Sequence, residues 1–287
     1  MNLQRLRNIG LNPISYSLSQ PARQAVESGV LFNATLIRQA LFSNSPLAEF
    51  SLFKTGFSDV ETVTPHEFLD NLSSSYARVG KDETIVITRS NFRANNINAT
   101  IRRYLLEADE PLVPGERLII SKNDYFWSKE NKLSNLLANG EMVEIIGRPK
   151  KIKKYGRWFA DAEMRMIGND KSLTAKLILR SLVADGPTLP KDEMERFYNR
   201  VLADTEGELS DKIKAALINP YYNSLQVKYG YCVTCHKAQG GQWKHVFIDL
   251  GGIPPDTSEN NFYRWLYTAI TRASEKVFFI NSPFNVE

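Results

Sequence analysis

Apolar residues recur along the chain at spacings that alternate between the periods of helices and strands. Residues Met1 to Gln20 are polar and irregular. Val26 to Phe42 carries Val30, Ala34, Ile37 and Leu41 on one face, which predicts a helix. After a ragged connection from Ser43 to Asp59, Val60 to Val63 reads as a short strand. Pro65 suits the first turn of a helix running to Tyr76, with Thr64 as its N-cap. Thr84-Ile-Val-Ile-Thr88 is a short apolar strand, Arg89-Ser-Asn91 a polar turn, and Phe92 to Glu107 the next helix. Strand, polar turn and helix form the repeating unit of a parallel α/β sheet. At the other end of the chain, Leu225 to Val233 and Val246 to Asp249 are strand-like runs on either side of a polar loop. Phe262, Trp265, Leu266, Ala269 and Ile270 then share a helical face, and Val277 to Ile280 is a strand.

Pro111 to about Pro220 breaks this rhythm. Arg117 to Ser121, Glu141 to Ile146, Trp158 to Ile167 and Leu173 to Leu182 are strand-like and separated by Gly, Asn and Lys. Asn139-Gly140 is a hairpin signal. Several short strands in so few residues predict a small barrel, and Lys191 to Leu217 reads as a helical exit from it. The expected fold is therefore α/β. One parallel-sheet domain is built from residues 1–110 and 221–287, with a small β-barrel inserted at 111–220. The turn of the insert is basic, with Lys150, Lys151, Lys153, Lys154 and Arg157 interleaved with Tyr155 and Trp158. That mixture suits a platform for single-stranded nucleic acid. The plain alternative is a solvated hairpin tip.

The polar loop within Tyr231 to Trp243, YCVTCHKAQGGQW, holds the densest chemistry. Gly240 and Gly241 allow a backbone to approach a ligand, and Thr234, His236, Lys237 and Gln239 supply donors. The loop reads as facing a polyanion. Cys232-Val-Thr-Cys235-His236 also fits the pattern of covalent haem attachment. The first residues, MNLQRLRNIG, show no apolar run, so no leader to an oxidising compartment is expected, and in an alternating strand the two cysteines point to opposite faces. With two Cys and three His in all, the chain is poor in ligands for a closed zinc site, so no metal is expected.

Together, the loop and the later run Tyr267-Thr-Ala-Ile-Thr-Arg-Ala273 resemble motifs V and VI of superfamily 1 helicases, in the RecD-like and UvrD-like group. Pro21-Ala-Arg23-Gln24 matches that family's motif IV arginine, and Thr88-Arg89-Ser90-Asn91 its strand-end element that touches single-stranded DNA. Pro114-Gly-Glu-Arg-Leu118 is similar to the entry of the SH3-like barrel carried in the second RecA-like domain. The resemblance implies an ATP- and Mg2+-dependent DNA helicase of the exodeoxyribonuclease V alpha-subunit type, acting in repair and recombination. It implies Arg23 and Arg272 as catalytic arginines at the γ-phosphoryl, and Gln242, Gly240 and Gly241 near the nucleotide. Asn91, Thr234, His236 and Lys237 would hold DNA phosphates, with Lys151, Lys153, Lys154 and Trp158 as further contacts. The family commonly has Glu where this chain has Gln242.

Composition adds little to this. The 287 residues are 43% hydrophobic and 24% charged, enough for one large domain or two small ones. No apolar run nears the roughly 18 residues of a membrane span. No partner in a membrane and a cytoplasmic location are expected. The net charge of +4 leans weakly towards a polyanion. The phosphate-cradling G-x-x-x-x-G-K-[ST] loop of nucleotide-driven motors is missing, because Gly80-Lys81 lacks both the upstream Gly and the following Ser or Thr. The chain is thus expected to be the second half of a helicase, a fragment or a separate polypeptide. Its main partners would be single-stranded DNA and an N-terminal RecA-like domain, with other repair subunits also in view. A non-catalytic nucleic-acid-binding or subunit-interface protein is the alternative. A nuclease is a weaker third reading, since no acidic cluster stands out. This chain alone is expected to show no ATP turnover. Phosphate release measured with saturating single strand should stay at background, and a rate above about one per second would contradict the half-motor reading.

Overall fold

The computed structural model describes residues 3–14, 28–43, 56–133, 135–169, 171–252 and 258–281. In chain order the first elements are α1 (Leu3–Asn8), α2 (Gly29–Ser43), β1 (Val60–Val63), α3 (Phe68–Val79), β2 (Thr84–Thr88) and α4 (Asn91–Tyr104). Next come β3 (Arg117–Ile120), α5 (Phe126–Glu130), β4 (Met142–Ile145), β5 (Lys150–Lys154), β6 (Arg157–Met166) and β7 (Ser172–Ile178). A 3₁₀ helix (Leu179–Val183) leads to α6 (Lys191–Ala203) and α7 (Leu209–Leu217). The chain closes with β8 (Val227–Tyr229), β9 (Cys232–Thr234), β10 (Trp243–Asp249), α8 (Glu259–Ile270) and β11 (Ala273–Ile280).

β1, β11, β10, β2 and β9 lie side by side in that order, and every pairing is parallel. All five residues of β2 are buried, as a strand covered on both faces requires. Its side chains alternate. Ile85 and Ile87 pack with Val30, Ala34 and Ile37 of α2 and with Leu266 and Ile270 of α8. Val86 packs on the other face with Leu72 of α3, Ile101 of α4, Phe247 and Phe278. The expected parallel α/β domain is present, with helices on both sides of the sheet. The helix after Pro65 starts later than expected. Thr64 and Glu67 cap each other first, with Thr64 N donating to Glu67 Oε2 at 3.1 Å and Glu67 N to Thr64 Oγ1 at 3.4 Å. The helix proper then begins at Phe68.

The second sheet is antiparallel, in the order β5-β6-β4-β3-β8, with β7 on the other edge of β6. A bridge from Leu177 to Leu225, just before β8, brings its ends together as a small barrel. Its hairpin turn is Tyr155-Gly156, whose φ values of 50° and 71° are both positive, as a tight type I′ turn demands. Asn139-Gly140 instead closes the longer excursion that contains α5. Ala138 O accepts from Glu141 N at 3.2 Å, and Gly140 has φ 99°.

Leu225 to Val233 was expected as one strand. It is two, in different sheets. β8 pairs with β3, while β9 pairs with β2, so the second sheet extends past residue 220. Gly230 and Tyr231 make the crossing. Gly230 N donates to Arg117 O at 2.8 Å, and a Cβ there would stand 3.2 Å from the Leu118 carbonyl carbon. A side chain at this position would have to push β3 back by a few tenths of an ångström.

A polar knot pins the crossing. Arg102 of α4 grips Glu116 through Nε at 3.0 Å and Nη2 at 2.9 Å. Tyr231 Oη donates to Glu116 Oε1 at 3.0 Å and accepts from Arg117 N at 3.1 Å. Glu116 is fully buried, and burial pushes its carboxyl up against the pull of Arg102. Removing one partner of such a pair leaves the other charge buried and alone, at a cost of about 3–5 kcal/mol. Glu116→Ala should lower unfolding free energy by that amount in urea titration. A loss under about 1 kcal/mol, ordinary for an exposed pair, would contradict the role of the knot.

Candidate functional site

Strands β2 and β9 end together, with Thr88 opposite Thr234 and Cys235 N donating to Thr88 O at 3.0 Å. Beyond these carboxyl ends open parallel sheets bind their ligands. A cavity of about 1240 Å³ opens there. Asn91, Thr234, His236, Lys237, Gly240, Gly241 and Gln242 line it from the parallel domain, and Asn139, Gly140, Met142 and Arg165 from the barrel side. Asn91 stands in the first turn of α4, whose N-cap Ser90 accepts from Arg93 N at 3.2 Å. The exposed N–H groups and the helix dipole at such an end favour anions.

The loop after β9 coils at once. Thr234 O accepts from Lys237 N at 2.9 Å and from Ala238 N at 3.0 Å. That turn leaves His236 and Gln239 exposed and draws Lys237 inwards. Lys237 Nζ donates to the buried Ser121 Oγ of the barrel at 3.1 Å. Burial, reinforced by the charge of Lys228, lowers the Lys237 ammonium to about 8. Gly240 has φ 86°, a left-handed value that favours glycine. Gly241 is required for another reason. A Cβ there would come within 2.2 Å of the Trp243 ring, which lies across it.

Arg272 sits behind the loop. Its Nε donates to Thr268 O at 3.0 Å, its Nη1 to Gly241 O at 3.1 Å and its Nη2 to Thr271 Oγ1 at 3.0 Å. Trp243 N donates back to Arg272 O at 2.9 Å. The end of α8 and the glycine pair are thus laced together. Glu275 pairs with Lys244 at 3.5 Å.

The structure therefore gathers Asn91, Thr234, His236, Lys237, Gly240, Gly241 and Gln242 around one cavity, with Arg272 at the back of its loop. Arg23 lies outside the described residues. Lys151, Lys153, Lys154 and Trp158 are on the β5–β6 hairpin and line no part of this cavity. Lys151 pairs there with Glu110, Lys153 Nζ lies 5.6 Å from the Trp158 ring centre, and Lys154 Nζ 5.0 Å from that of Tyr155. Cys232 and Cys235 are buried on opposite faces of the parallel sheet, and burial raises both thiols, Cys235 to about 12.

Sequence reasoning named one further participant only within the strand-end element and missed two others. Arg89 lines the cavity and holds its guanidinium 6.0 Å from the Trp265 ring centre, with Nη1 buried and without a hydrogen-bond partner among the described residues. Its place beside Asn91 in the same polar turn was the available signal. Ser121 anchors Lys237 from a distant strand, and no local pattern announces it. Asp249, at the end of β10, is gripped by Arg93 at 2.5 and 2.8 Å and accepts from Thr88 Oγ1 at 3.1 Å and Asn281 Nδ2 at 2.8 Å. This network fixes the rim of the sheet under the cavity.

Comparison with known proteins bears on this region first. Residues 229–280 match the family model of the UvrD-like helicase C-terminal domain. The uncharacterized protein R530 of Acanthamoeba polyphaga mimivirus is 34% identical over 91 residues, 31% of this chain and 18% of that protein. Among solved structures, the Pif1 helicase from Bacteroides in complex with ADP-AlF3 and ssDNA aligns with 93% of this chain and 52% of its own length, at TM-score 0.45 and 13% identity. The Pif1 helicase from Candida albicans aligns with 77% of this chain and 53% of its own, at TM-score 0.36 and 11% identity. The chain spans about half the length of these helicases, and at such TM-scores the fold rests on the topology above rather than on them. The matched segment contains β9, the polar loop, α8 and Arg272, so over residues 229–280 the chain is similar to the UvrD-like helicase C-terminal domain.

Proposed function

We propose that the chain is the C-terminal motor half of an ATP-dependent, RecD-like DNA helicase and that it grips a single strand in the cavity after β2 and β9. The observation that carries this reading is the convergence of Asn91, Thr234, His236 and Lys237 on that cavity. Backbone and side-chain donors there face phosphates, which carry no sequence information, so the grip is independent of sequence. Arg272, fixed by Gly241 O and Thr268 O, supplies positive charge on the other side of the loop, towards a transferring γ-phosphoryl. Arg23 is assigned the same task. Gln242 and the glycine pair approach the nucleotide from the loop itself. When bound, ATP supplies the phosphoryl whose loss drives opening and closing of the cleft between the two motor halves. The ligands of magnesium are assigned to the N-terminal half.

The half-buried Lys237 gives the reading a pH signature. Its folded value of about 8 lies below the ordinary 10.5. Between those values the unfolded chain holds a proton that the folded chain has lost, so this group's contribution to stability rises with pH. Its contribution to phosphate binding moves the other way, because the ammonium is lost as pH passes about 8. Affinity for a labelled oligothymidylate, measured by anisotropy at constant ionic strength, should fall between pH 7 and 9. Lys237→Ala should bind more weakly at pH 7 and lose that pH dependence. An unchanged pH profile in Lys237→Ala would contradict the assignment.

In the longer protein that contains the partner half, Arg272→Ala should reduce ATP hydrolysis by at least about a hundredfold, equivalent to roughly 2.7 kcal/mol of transition-state stabilisation. Arg272→Lys should restore little, since a point charge does not reproduce the guanidinium fork. Near-normal hydrolysis in Arg272→Ala would remove the residue from the catalytic role.

A further inference from the structure

A second cavity, about 480 Å³, adjoins the first without sharing a lining residue. The two meet at two places in the chain. Pro187 lines the first and Thr188 the second, and Lys122 of the second follows Ser121, which holds Lys237. One wall is α6, where Lys191, Met194, Glu195 and Tyr198 share a helical face. Tyr222 stands against Tyr198, with ring centres 5.3 Å apart and planes at 50°, so the two rings make an aromatic corner. Tyr222 N donates to Asn219 Oδ1 at 3.2 Å, which steadies that side of the corner. Gln226 also lines the cavity and is only 7% exposed. Its Oε1 accepts from Leu189 N at 2.8 Å, which fixes the orientation of the amide. Among the described residues its Nε2 meets only Met194 Sδ, at 3.8 Å, and a thioether is a weak acceptor. A buried amide donor so poorly matched is costly to leave without a partner, and a ligand in this cavity can supply one.

We infer that this pocket takes one unpaired base of the single strand and selects bases that present a ring N–H beside a carbonyl oxygen, as thymine and guanine do and cytosine and adenine do not. The inference rests on the reading of the chain as a strand-binding motor half. The aromatic corner supplies a stacking face, and the cavity is of the size that encloses small organic groups, about 300–1,000 Å³. Gln226 Nε2 donates to the carbonyl oxygen of the base. The carboxylate of Glu195, which follows Met194 on α6, accepts from the ring N–H. In cytosine and adenine both groups are reversed, so a ring acceptor meets the carboxylate and an amino donor meets the amide. The charge balance also favours a base over a phosphate as occupant. Lys122 and Lys191 are offset by Glu195 in the lining and by Asp124, whose carboxyl feels the Lys122 charge. The phosphate grip beyond β2 and β9 reads no sequence, and this pocket adds a preference at one nucleotide beside it.

The test compares short oligothymidylate, oligodeoxycytidylate and abasic strands of equal length, by anisotropy on the whole chain at constant salt. The unaltered chain should bind oligothymidylate about tenfold more tightly than oligodeoxycytidylate, the scale of one hydrogen bond to a charged group. Glu195→Gln, at an exposed position on α6 where folding is little affected, should erase that preference, because an amide serves either edge. Tyr198→Ala should weaken oligothymidylate binding about tenfold, the scale of one stacked base, and leave abasic binding unchanged. Lys237→Ala should weaken all three strands alike and keep the preference. Equal binding of oligothymidylate and oligodeoxycytidylate by the unaltered chain, or a preference that survives both Glu195→Gln and Tyr198→Ala, would overturn the pocket and leave the first cavity standing. If the unaltered chain binds none of the strands, both readings fall.

Discussion

Two residues carry the chain from one sheet to the other, and the geometry of the site depends on them. Gly230 and Tyr231 leave the antiparallel sheet at Tyr229 and enter the parallel sheet at Cys232. So short a connection forces the two sheets into contact. The absence of a side chain at Gly230 lets it lie on β3, and Tyr231 is locked by Glu116 and Arg117. Arg117 adds a second strap. Its buried guanidinium donates to the carbonyl oxygens of Lys81 and of Thr84, at the start of β2. Glu116, just before β3, and Arg117, at its start, thus fasten one strand of the barrel to the crossing and to β2. Such dense burial of charge specifies geometry at the expense of stability, because each ion must be desolvated.

The consequence for function is a cavity with one wall from each sheet. Asn91 and the polar loop face Asn139, Gly140 and Met142 across it, and Ser121 of the barrel side reaches over to hold Lys237. In the proposed function, a rigid loop keeps the phosphate grip at a fixed place. Gly241 under the Trp243 ring and Arg272 on the Gly241 carbonyl remove slack from the opposite side. The loop proposed to face the strand and the arginine proposed to face the nucleotide are therefore one hydrogen bond apart. That is short enough for a change at one to be felt at the other.

The sequence disclosed those parts of the fold and site that are local. Apolar periodicity located α2 through Val30, Ala34 and Ile37, and the all-buried strand Thr84–Thr88 followed from its β-branched run. The polar loop was legible because glycines and donors are concentrated within ten residues of Cys232. What stayed hidden depends on contacts distant in sequence. Leu225 to Val233 reads as one strand because the switch at Gly230 is set by β3, more than a hundred residues earlier. Gly241 reads as a ligand-approach glycine, while its requirement comes from the Trp243 ring. Ser121 has no local signature, since its hydroxyl and Lys237, 116 positions apart, meet only after folding. The hairpin basic residues were legible as a set, but not their separation from the motif loop.

The central claim, that the single strand lies in the cavity beyond β2 and β9, is tested most directly by hydrogen–deuterium exchange of the chain with and without a saturating oligonucleotide. Amides of Arg89 to Phe92 and Thr234 to Gln242 are predicted to slow when the strand is present. Unchanged exchange in both segments, with slowing confined to α6 and α7, would contradict the account.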